Sequence, residues 1–199
     1  AQNELTISSV FVNPIQFNNA TDLEKYPRTL EQDCALLEAA GCDVVFAPEA
    51  GEMYQQSPAL SMQFGPLETV MEGAFRPGHF SGVGVVVSKL FNLVQPTRAY
   101  FGQKDFQQLA IIKQMVKDLS FQIEIVPCPI LRAEDGLALS SRNKRLTADE
   151  RAIAPLVYQV LSQAGQQLQN GASVEETKQF VTEQFSSQDA FDLEYFEVS

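Results

Sequence analysis

The chain has 199 residues, of which 45% are hydrophobic and 20% charged, a composition typical of a folded globular protein long enough to bury a core. The formal net charge is -11 and only 14 residues are Lys or Arg, which argues against a general nucleic-acid binder because such proteins need a basic face. No apolar run approaches the roughly 18 residues of a membrane span. The three cysteines lack metal-ligand spacing and, with no signal peptide, indicate free thiols in the cytoplasm.

The first part of the chain predicts a strand, a helix and a second strand. Residues 5–12 form an apolar, β-branched run typical of a strand buried on both faces of a parallel sheet. A loop follows at the carboxyl edge of this strand, where open α/β sheets bind ligands, so Asn13 and Gln16 are either ligand-binding amides or residues that close a turn. A helix over 29–40 and a short strand over 44–47 complete a βαβ unit, and a surface loop is expected next.

A polar, glycine-containing stretch at residues 72–80 suggests the edge of a ligand site. The apolar run behind it, residues 83–94, is rich in valine, but its length favours a helix. Arg76 and His79 are candidates for catalysis; the alternatives are a surface arginine and a histidine that caps the helix. Because His79 is the only histidine, a mechanism that needs two of them is not available to this sequence.

Residues 100–108 predict a strand, a glycine turn and a helix, because the apolar run stops before Gly102 and apolar residues then recur at spacings of three and four. Asp105 and Gln108 fit a capping box, in which each side chain binds a backbone N–H of the first helical turn. The helix dipole disfavours a cation at Lys104. The stretch therefore either binds an anion such as phosphate or carries a solvated surface lysine.

The part that follows combines a strand over 122–126, a turn over 134–136 and a basic cluster. Three of the 14 basic residues fall within residues 142–145, next to Ser140 and Ser141. In so acidic a chain this cluster suits a triphosphate better than a random surface.

Capping boxes open two further helices, one from Thr147 through Leu168 and one from Ser173. Alternating apolar residues then predict a strand near the end of the chain, over 191–198, without a partner strand.

Motifs that follow one another along essentially the whole chain resemble those of one enzyme family. They are FVNPIQF at residues 11–17, YPRT at 26–29, EGAFRPGHF at 72–80, KLFN at 89–92, FGQKDFQQ at 101–108 and DGLALSSRN at 135–143. Together they resemble the bacterial pantothenate synthetases, ligases that join pantoate to beta-alanine. A co-linear series of this kind is far more specific than any single motif.

The resemblance implies an α/β fold with a Rossmann-like nucleotidyltransferase parallel sheet in residues 1–137, which would bind nucleotide and pantoate. A small, truncated C-terminal α+β domain in residues 138–199 would close over the site. It also implies a two-step reaction with ATP and Mg²⁺, in which the pantoate carboxylate attacks the α-phosphorus to give pantoyl adenylate and pyrophosphate. The amine of beta-alanine then attacks the acyl carbon and releases AMP. A cytoplasmic homodimer with small-molecule substrates, and with no nucleic-acid or membrane partner, is expected.

The resemblance also assigns roles to residues. Gln16 and Gln108 would hold pantoate, with Asn13, Tyr26 and His79 lining the same pocket. Lys104, Ser140 and Arg142 would be catalytic through contacts to phosphate, and Asp33 matches a position near the magnesium of the family. Two groups of residues would bind the nucleotide. The first is Gly102, Gln103, Lys104 and Asp105, with Asp105 on the ribose. The second is Leu131, which would contact adenine through its backbone, together with Leu139, Ser140, Ser141 and Arg142.

Two departures from the family pattern are visible. Gln103 stands where the family usually has Glu, a change expected to be mild because its neighbours are intact. The family's N-terminal motif, a Pro-Thr-Met-Gly turn followed by two histidines that stabilise the triphosphate, would precede Ala1, and the C-terminus stops inside what the family makes a sheet. We therefore expect the 199-residue chain alone to have little or no ligase activity, and the parent protein to be an active ligase.

Two other functions remain open at this point. One is a related adenylyltransferase of the same superfamily that acts on another substrate, and the other is a catalytically incomplete fragment that binds ATP or pantoate. Asn13, Gln16 and Gln108 argue against the first, because a small hydroxy acid needs such amides whereas a nucleotide or a lipid head group does not.

Overall fold

The structure, a computed structural model, describes residues 3–198. The chain divides into two compact units that alternate along the sequence. Unit 1 contains the residues up to Phe64 together with Gly78–Gln95, and unit 2 contains Gly65–Pro77 together with the residues from Pro96 onward. Within the described range, every helix is too short or too polar to cross a membrane. The predicted domain boundary between residues 137 and 138 stays a prediction.

Unit 1 contains the predicted βαβ unit. Strand β1 (Ile7–Ser9) pairs in parallel with β2 (Val44–Phe46), and helix α2 (Leu30–Ala39) connects them. The strand is shorter than expected, and the prediction that it is buried on both faces is wrong: Ile7 is 37% exposed and Val44 43%. The physical reason is that β2 is the one strand paired with β1 within residues 3–198. The short helices of this unit are α1 (Ala20–Glu24) and α3 (Ala50–Met53).

Helix α5 (His79–Val94) supplies most of the core of unit 1. The valine-rich run is helical, as predicted from its length, and begins directly after Gly78, whose φ of +80° suits glycine. Its first half is buried almost all round, which is typical of a central helix. Each buried Val or Phe side chain contributes about 1.5–3 kcal/mol. The buried apolar residues of α5 are Phe80, Val83, Val85, Val86, Val87 and Phe91.

Unit 2 contains a second parallel pair, β3 (Arg98–Gly102) with β4 (Glu124–Cys128). Helix α6 (Phe106–Asp118) crosses between them, so the predicted order of strand, turn and helix is confirmed. The buried residues of α6 are Gln107, Leu109, Ile111, Ile112 and Met115. Unit 2 also contains the short helix α4 (Glu72–Phe75).

The helices near the C-terminus begin where their capping boxes predict. Thr147 and Glu150 cap α7 (Ala148–Ile153), and Ser173 caps α9 (Val174–Ser186) through Glu176. The predicted single helix from residue 147 through 168 is divided, however, and its second part is α8 (Leu156–Gln169). Pro155 explains the interruption, because proline has no backbone N–H and its ring clashes with the preceding turn.

Residues 191–198 do not form the predicted strand. Their apolar side chains pack instead against the core that α8 and α9 share, which contains Val160, Ala164, Val181 and Phe185. The alternation of apolar residues thus marks a partly buried face, but no neighbouring strand within the described residues offers backbone hydrogen bonds.

Candidate active site

The loop after β1 holds a buried amide network in unit 1. Asn13 is only 3% exposed, and its Nδ2 donates to Gln16 Oε1 at 3.1 Å and to the backbone oxygen of Gly82 at 3.2 Å. Its Oδ1 accepts from the hydroxyl of Tyr54 at 2.9 Å. Gln16 ends a 3-10 turn, Pro14–Gln16, that starts with a proline, which fixes the backbone there. The two amides that sequence analysis singled out are therefore brought together.

His79 is attached to the same turn. It is 6% exposed, and its Nδ1 lies 2.9 Å from the backbone oxygen of Gln16. A carbonyl only accepts, so Nδ1 carries the proton in this contact. His79 is the first residue of α5, whose N-cap is Gly78, and its Nδ1 contact is made to the loop after β1.

Gly82 lets α5 approach this turn at backbone distance. A Cβ built on residue 82 would come within 2.6 Å of the Ile15 oxygen and 2.8 Å of the Gln16 Cα. Both are backbone atoms that cannot rotate away, so only glycine fits. This contact determines how closely the backbone of Gln16 approaches α5.

Two tyrosines complete the surroundings of the loop. Tyr26, a predicted pocket residue, packs edge-on against Phe17 with ring centroids 5.6 Å apart. Tyr54 was missed by sequence analysis, which placed it in a surface loop. Burial raises the pKa of Tyr54 to about 12. The only signal in the sequence is an aromatic residue within a polar loop, which by itself indicates nothing about its partner.

The predicted phosphate turn lies in unit 2. Gly102 ends β3, and a 3-10 turn, Gln103–Asp105, leads into α6. The predicted capping box of Asp105 with Gln108 is wrong, because Asp105 makes no side-chain cap and its carboxylate accepts instead from Lys104 Nζ at 3.3 Å. The preceding 3-10 turn gives Asp105 a backbone geometry (φ -95°, ψ 65°) unlike the extended one usual at a cap. The first turn of α6 therefore lacks a side-chain cap and suits an anion.

Neighbouring glutamines at the start of α6 differ in their surroundings. Gln107 is 8% exposed, and its Nε2 donates to the backbone oxygens of Leu67 at 2.8 Å and Val70 at 2.7 Å. Its Oε1 is buried and has no hydrogen-bond partner among residues 3–198. Gln108, the predicted pantoate ligand, is half-buried at the next position. Gln107 thus anchors backbone, whereas Gln108 is more accessible.

The basic cluster forms a compact turn. Residues Ser141–Arg145 are a 3-10 helix, and the hydroxyl of Ser140 accepts from the backbone N–H of Arg142 at 3.3 Å. Asn143 Nδ2 donates to the Ala138 oxygen at 2.9 Å, which ties the turn to the segment before it. This turn therefore brings together Ser140, Ser141 and Arg142.

The segment before the basic turn pairs Leu131 with Leu139. The N–H of Leu139 donates to the Leu131 oxygen at 2.9 Å, and both side chains are exposed. The predicted turn between them is confirmed, with Gly136 at a φ of +90°. Leu131, the predicted adenine contact, and Leu139, a predicted nucleotide-binding residue, thus lie on one hairpin.

Arg76 takes part in an ion pair. Its Nη1 lies 2.9 Å from Glu72 Oε1 across one turn of α4, and Glu72 also accepts from the Tyr195 hydroxyl at 3.3 Å. Burial and, second to it, the Glu72 carboxylate raise the pKa of Tyr195. These contacts assign Arg76 a structural role.

Asp33, the predicted magnesium neighbour, accepts from the hydroxyl of Thr29 at 3.2 Å. Residues 3–198 contain no group of three or more His, Cys, Asp or Glu side chains that could hold a metal ion. Protein-bound Mg²⁺ often uses one or two carboxylates together with substrate phosphates and water. A single carboxylate fits that mode and does not fit an all-protein metal cage.

Comparison with known proteins decides the family. The family model for pantoate-beta-alanine ligase matches residues 1–199. The chain belongs to this family. Pantothenate synthetase from Bacteroides fragilis is 55% identical over 197 residues, which cover 99% of this chain and 70% of that protein. The enzyme of the same name from Cytophaga hutchinsonii is 46% identical over 199 residues, 100% of this chain and 70% of its own.

Solved structures agree with the family assignment. The crystal structure of pantothenate synthetase from Thermus thermophilus has a TM-score of 0.92 at 48% identity and covers 97% of this chain and 70% of its own. Pantoate-beta-alanine ligase from Francisella tularensis, complexed with beta-gamma ATP and beta-alanine, has a TM-score of 0.81 at 38% identity, with 92% and 69% covered. The predicted α/β nucleotidyltransferase-like fold and the predicted ligase class are therefore confirmed. Pantoate-beta-alanine ligases condense pantoate with beta-alanine at the expense of ATP.

Proposed function

We propose that this chain carries the pantoate and ATP sites of a ligase that makes pantothenate through a pantoyl adenylate. The observation that carries the proposal is the buried network in which Asn13 and His79 hold Gln16 from both its side chain and its backbone. A half-buried amide fixed in this way is suited to orient a small hydroxy acid. Together with the family assignment, it favours this reaction over that of another adenylyltransferase.

Pantoate is assigned to unit 1. Because Gln16 Oε1 accepts from Asn13, the Nε2 of Gln16 is the group that can donate to the carboxylate or a hydroxyl of pantoate. His79 fixes the backbone of Gln16, and Tyr26 packs on the neighbouring Phe17. The role of Gln108, in unit 2, stays a prediction from the resemblance.

The nucleotide is assigned to unit 2. The Lys104–Asp105 ion pair is exposed, and exposed pairs contribute little to stability, so Lys104 can exchange its partner for a phosphate at small cost. Asp105 is then available for the ribose, while Gly102 and Gln103 supply backbone at the start of α6. The Ser140–Arg142 turn brings hydroxyls and a guanidinium to phosphate, and Leu131 and Leu139 offer an apolar hairpin and backbone groups to adenine.

The chemistry needs orientation and charge and does not need a protein nucleophile. In the first step a pantoate carboxylate oxygen bonds to the α-phosphorus, and the bond from that phosphorus to the bridging oxygen breaks to release pyrophosphate. In the second step the beta-alanine nitrogen bonds to the acyl carbon, loses a proton, and AMP departs with the carboxylate oxygen. Lys104 and Arg142 stabilise the negative charge that moves to the leaving groups.

We also propose the use of magnesium, a location in the cytoplasm and assembly as a homodimer. Asp33 would hold Mg²⁺ together with phosphates, and the ion would neutralise phosphate charge. Cys34, Cys42 and Cys128 are free thiols, which fits the proposed location in the cytoplasm. Assembly as a homodimer, and the expectation that the printed chain alone turns over little or no substrate, stay predictions from the resemblance.

Thermal-shift titrations of the 199-residue protein test the two sites separately. Pantoate and ATP should each raise the melting temperature, since a bound ligand stabilises the fold by RT ln(1 + [L]/Kd). Lys104→Met should lower the ATP affinity about ten-fold by removing a charge-assisted hydrogen bond and leave pantoate binding unchanged. Lys113→Met, which removes an exposed lysine further along α6, is the matched control and should change neither. Absence of any shift with pantoate would contradict the proposal.

A further inference from the structure

Tyr54 is placed rigidly by the short helix that precedes it. Helix α3 is capped at its start by Glu52, whose Oε2 accepts from the backbone N–H of Glu49 at 2.7 Å. Met53 is buried in the core of unit 1, which anchors the end of the helix. The backbone N–H of Tyr54 donates to the Ala50 oxygen at 2.8 Å. The ring therefore leaves the helix in a fixed direction.

The ring of Tyr54 also has fixed neighbours. Its centroid lies 6.2 Å from that of Phe11, and Lys89 Nζ lies over the ring at 5.6 Å from the centroid. A cation over an aromatic face is attracted to it. The hydroxyl of Tyr54 is protonated at neutral pH and donates to Asn13, and burial raises its pKa further, to about 12.

The direction of each hydrogen bond from Tyr54 to Gln16 follows from chemistry. The backbone oxygen of Gly82 only accepts, so the NH₂ of the Asn13 amide must face it. Asn13 Oδ1 then faces Tyr54, which donates to it across 2.9 Å. The Gly82 carbonyl thus opposes a flip of the Asn13 amide, and the hydroxyl of Tyr54 holds the other end of this amide through a donated hydrogen bond.

The orientation passes on to Gln16. The Nδ2 of Asn13 can only donate, so the atom of Gln16 that faces it must be the acceptor Oε1. The NH₂ of Gln16 is thereby the group left for a ligand. Reversed, the same amide would direct an oxygen towards the ligand and repel a carboxylate.

We propose that Tyr54 is a positioning residue for the hydroxy acid: by donating to Asn13 it fixes the amide of Gln16 so that the site offers a donor to the substrate carboxylate. The inference rests on the proposed function, because it assumes that Gln16 contacts pantoate. Tyr54 itself does not touch the substrate in this scheme. It acts through Asn13 and Gln16, and it selects a ligand that accepts a hydrogen bond.

The substitution Tyr54→Phe tests this with the ring packing retained. It leaves Asn13 Oδ1 buried without a donor, and the dissociation constant for pantoate should rise about ten-fold, the effect of one such hydrogen bond. The dissociation constant for ATP should stay the same. Tyr158→Phe, which removes a tyrosine hydroxyl from helix α8 in unit 2, is the matched control and should alter neither constant. Equal pantoate affinity in a folded Tyr54→Phe protein would overturn the inference.

A second comparison distinguishes positioning from a general structural effect. In a Gln16→Ala background, Tyr54→Phe should change the pantoate affinity by less than about two-fold, because residues that act through one another are not additive. The same ten-fold loss in both backgrounds would contradict the scheme. If Tyr54→Phe does not fold, the side-chain NH₂ resonances of Gln16 in the unsubstituted protein decide, since they should shift when pantoate is added and an unchanged signal would refute the inference. Failure of the unsubstituted protein to bind pantoate would instead refute the proposed function.

Discussion

Gly82 lies so close to Gln16 that a Cβ on residue 82 would come within 2.8 Å of the Gln16 Cα and 2.9 Å of its backbone nitrogen. The contact is between backbone and backbone, so no side-chain rotation can relieve it. The long helix α5 therefore determines where the turn that carries Gln16 can lie. Position 82 is a structural requirement of the proposed pantoate site although it has no side chain to contribute.

The substitution Gly82→Ala should push this turn away from α5. We expect a loss of about 1–3 kcal/mol in the free energy of unfolding, the usual effect of overpacking, and a weaker pantoate affinity with ATP binding unchanged. Gly165→Ala is the matched control, because a Cβ there meets nothing within 4 Å and α8 gains helix propensity. Calorimetric titration and thermal melts measure both effects. Unchanged pantoate binding in the Gly82→Ala protein would contradict the role of this contact.

His79 should matter through the proton on its Nδ1. The amide nitrogen of Asn can take the place of Nδ1, so His79→Asn should keep the hydrogen bond to the Gln16 oxygen. His79→Leu leaves that oxygen without its partner, which costs about 1–3 kcal/mol when the acceptor is buried. Pantoate affinity measured by titration should therefore fall in the order unsubstituted protein, His79→Asn, His79→Leu. Weaker binding by the Asn variant than by the Leu variant would contradict this account.

Gln107 should be important for stability and not for ligand contact. The substitution Gln107→Met retains the volume but removes the donor to the Leu67 and Val70 oxygens, and we expect a loss of about 1–3 kcal/mol in the free energy of unfolding. Gln114→Met on the same helix removes only an exposed bond to Asp118 and should change stability by less than about 0.5 kcal/mol. Denaturant unfolding compares the two variants. Equal stability of both would show that the buried bonds of Gln107 contribute nothing.

The capping boxes predict how stability depends on acid. The pKa of Glu150 is lowered by a hydrogen bond from the backbone of Thr147 and, to a smaller extent, by one from the Thr147 side chain. The pKa of Glu176 is lowered by a hydrogen bond from the side chain of Ser173 and, to a smaller extent, by one from the Ser173 backbone. A carboxyl whose pKa is lower in the folded state stabilises the fold above its ordinary value near 4.5 and loses this effect as the pH falls through the lowered value.

Melting temperatures measured between pH 7 and pH 3 test this. The double variant Glu150→Gln with Glu176→Gln should lose less stability on acidification than the unsubstituted protein, because its caps do not titrate. Glu38→Gln, on α2 and outside the two capping boxes, should follow the unsubstituted curve. An identical slope for the double variant would contradict the assignment of acid sensitivity to these caps.

Sequence alone predicted the features that depend on neighbours in the chain. Thr147 with Glu150 specifies the start of a helix within four positions, and the glycine turn at residue 136 depends on its own backbone conformation. Local chemistry determines both features. The family motifs also pointed to Asn13, Gln16 and His79, which the structure brings together, while their roles in binding stay predictions.

The features that sequence analysis missed depend on distant partners or on backbone geometry. Tyr54 gains its role from Asn13, 41 positions away, and nothing in a polar loop indicates such a contact. The cap expected of Asp105 does not form, because the preceding 3-10 turn gives Asp105 a backbone geometry unlike that of a cap residue. The burial expected for β1 and the strand expected over residues 191–198 required neighbouring strands, which a single sequence pattern does not specify.

The most direct test of the proposed reaction is the exchange of labelled pyrophosphate into ATP, measured with the ligase that carries this sequence. If a pantoyl adenylate forms as proposed, exchange requires pantoate, proceeds without beta-alanine, falls strongly in the Gln16→Ala and Lys104→Met variants, and is retained by Lys113→Met. Exchange that proceeds without pantoate, or that begins only when beta-alanine is added, would contradict the account.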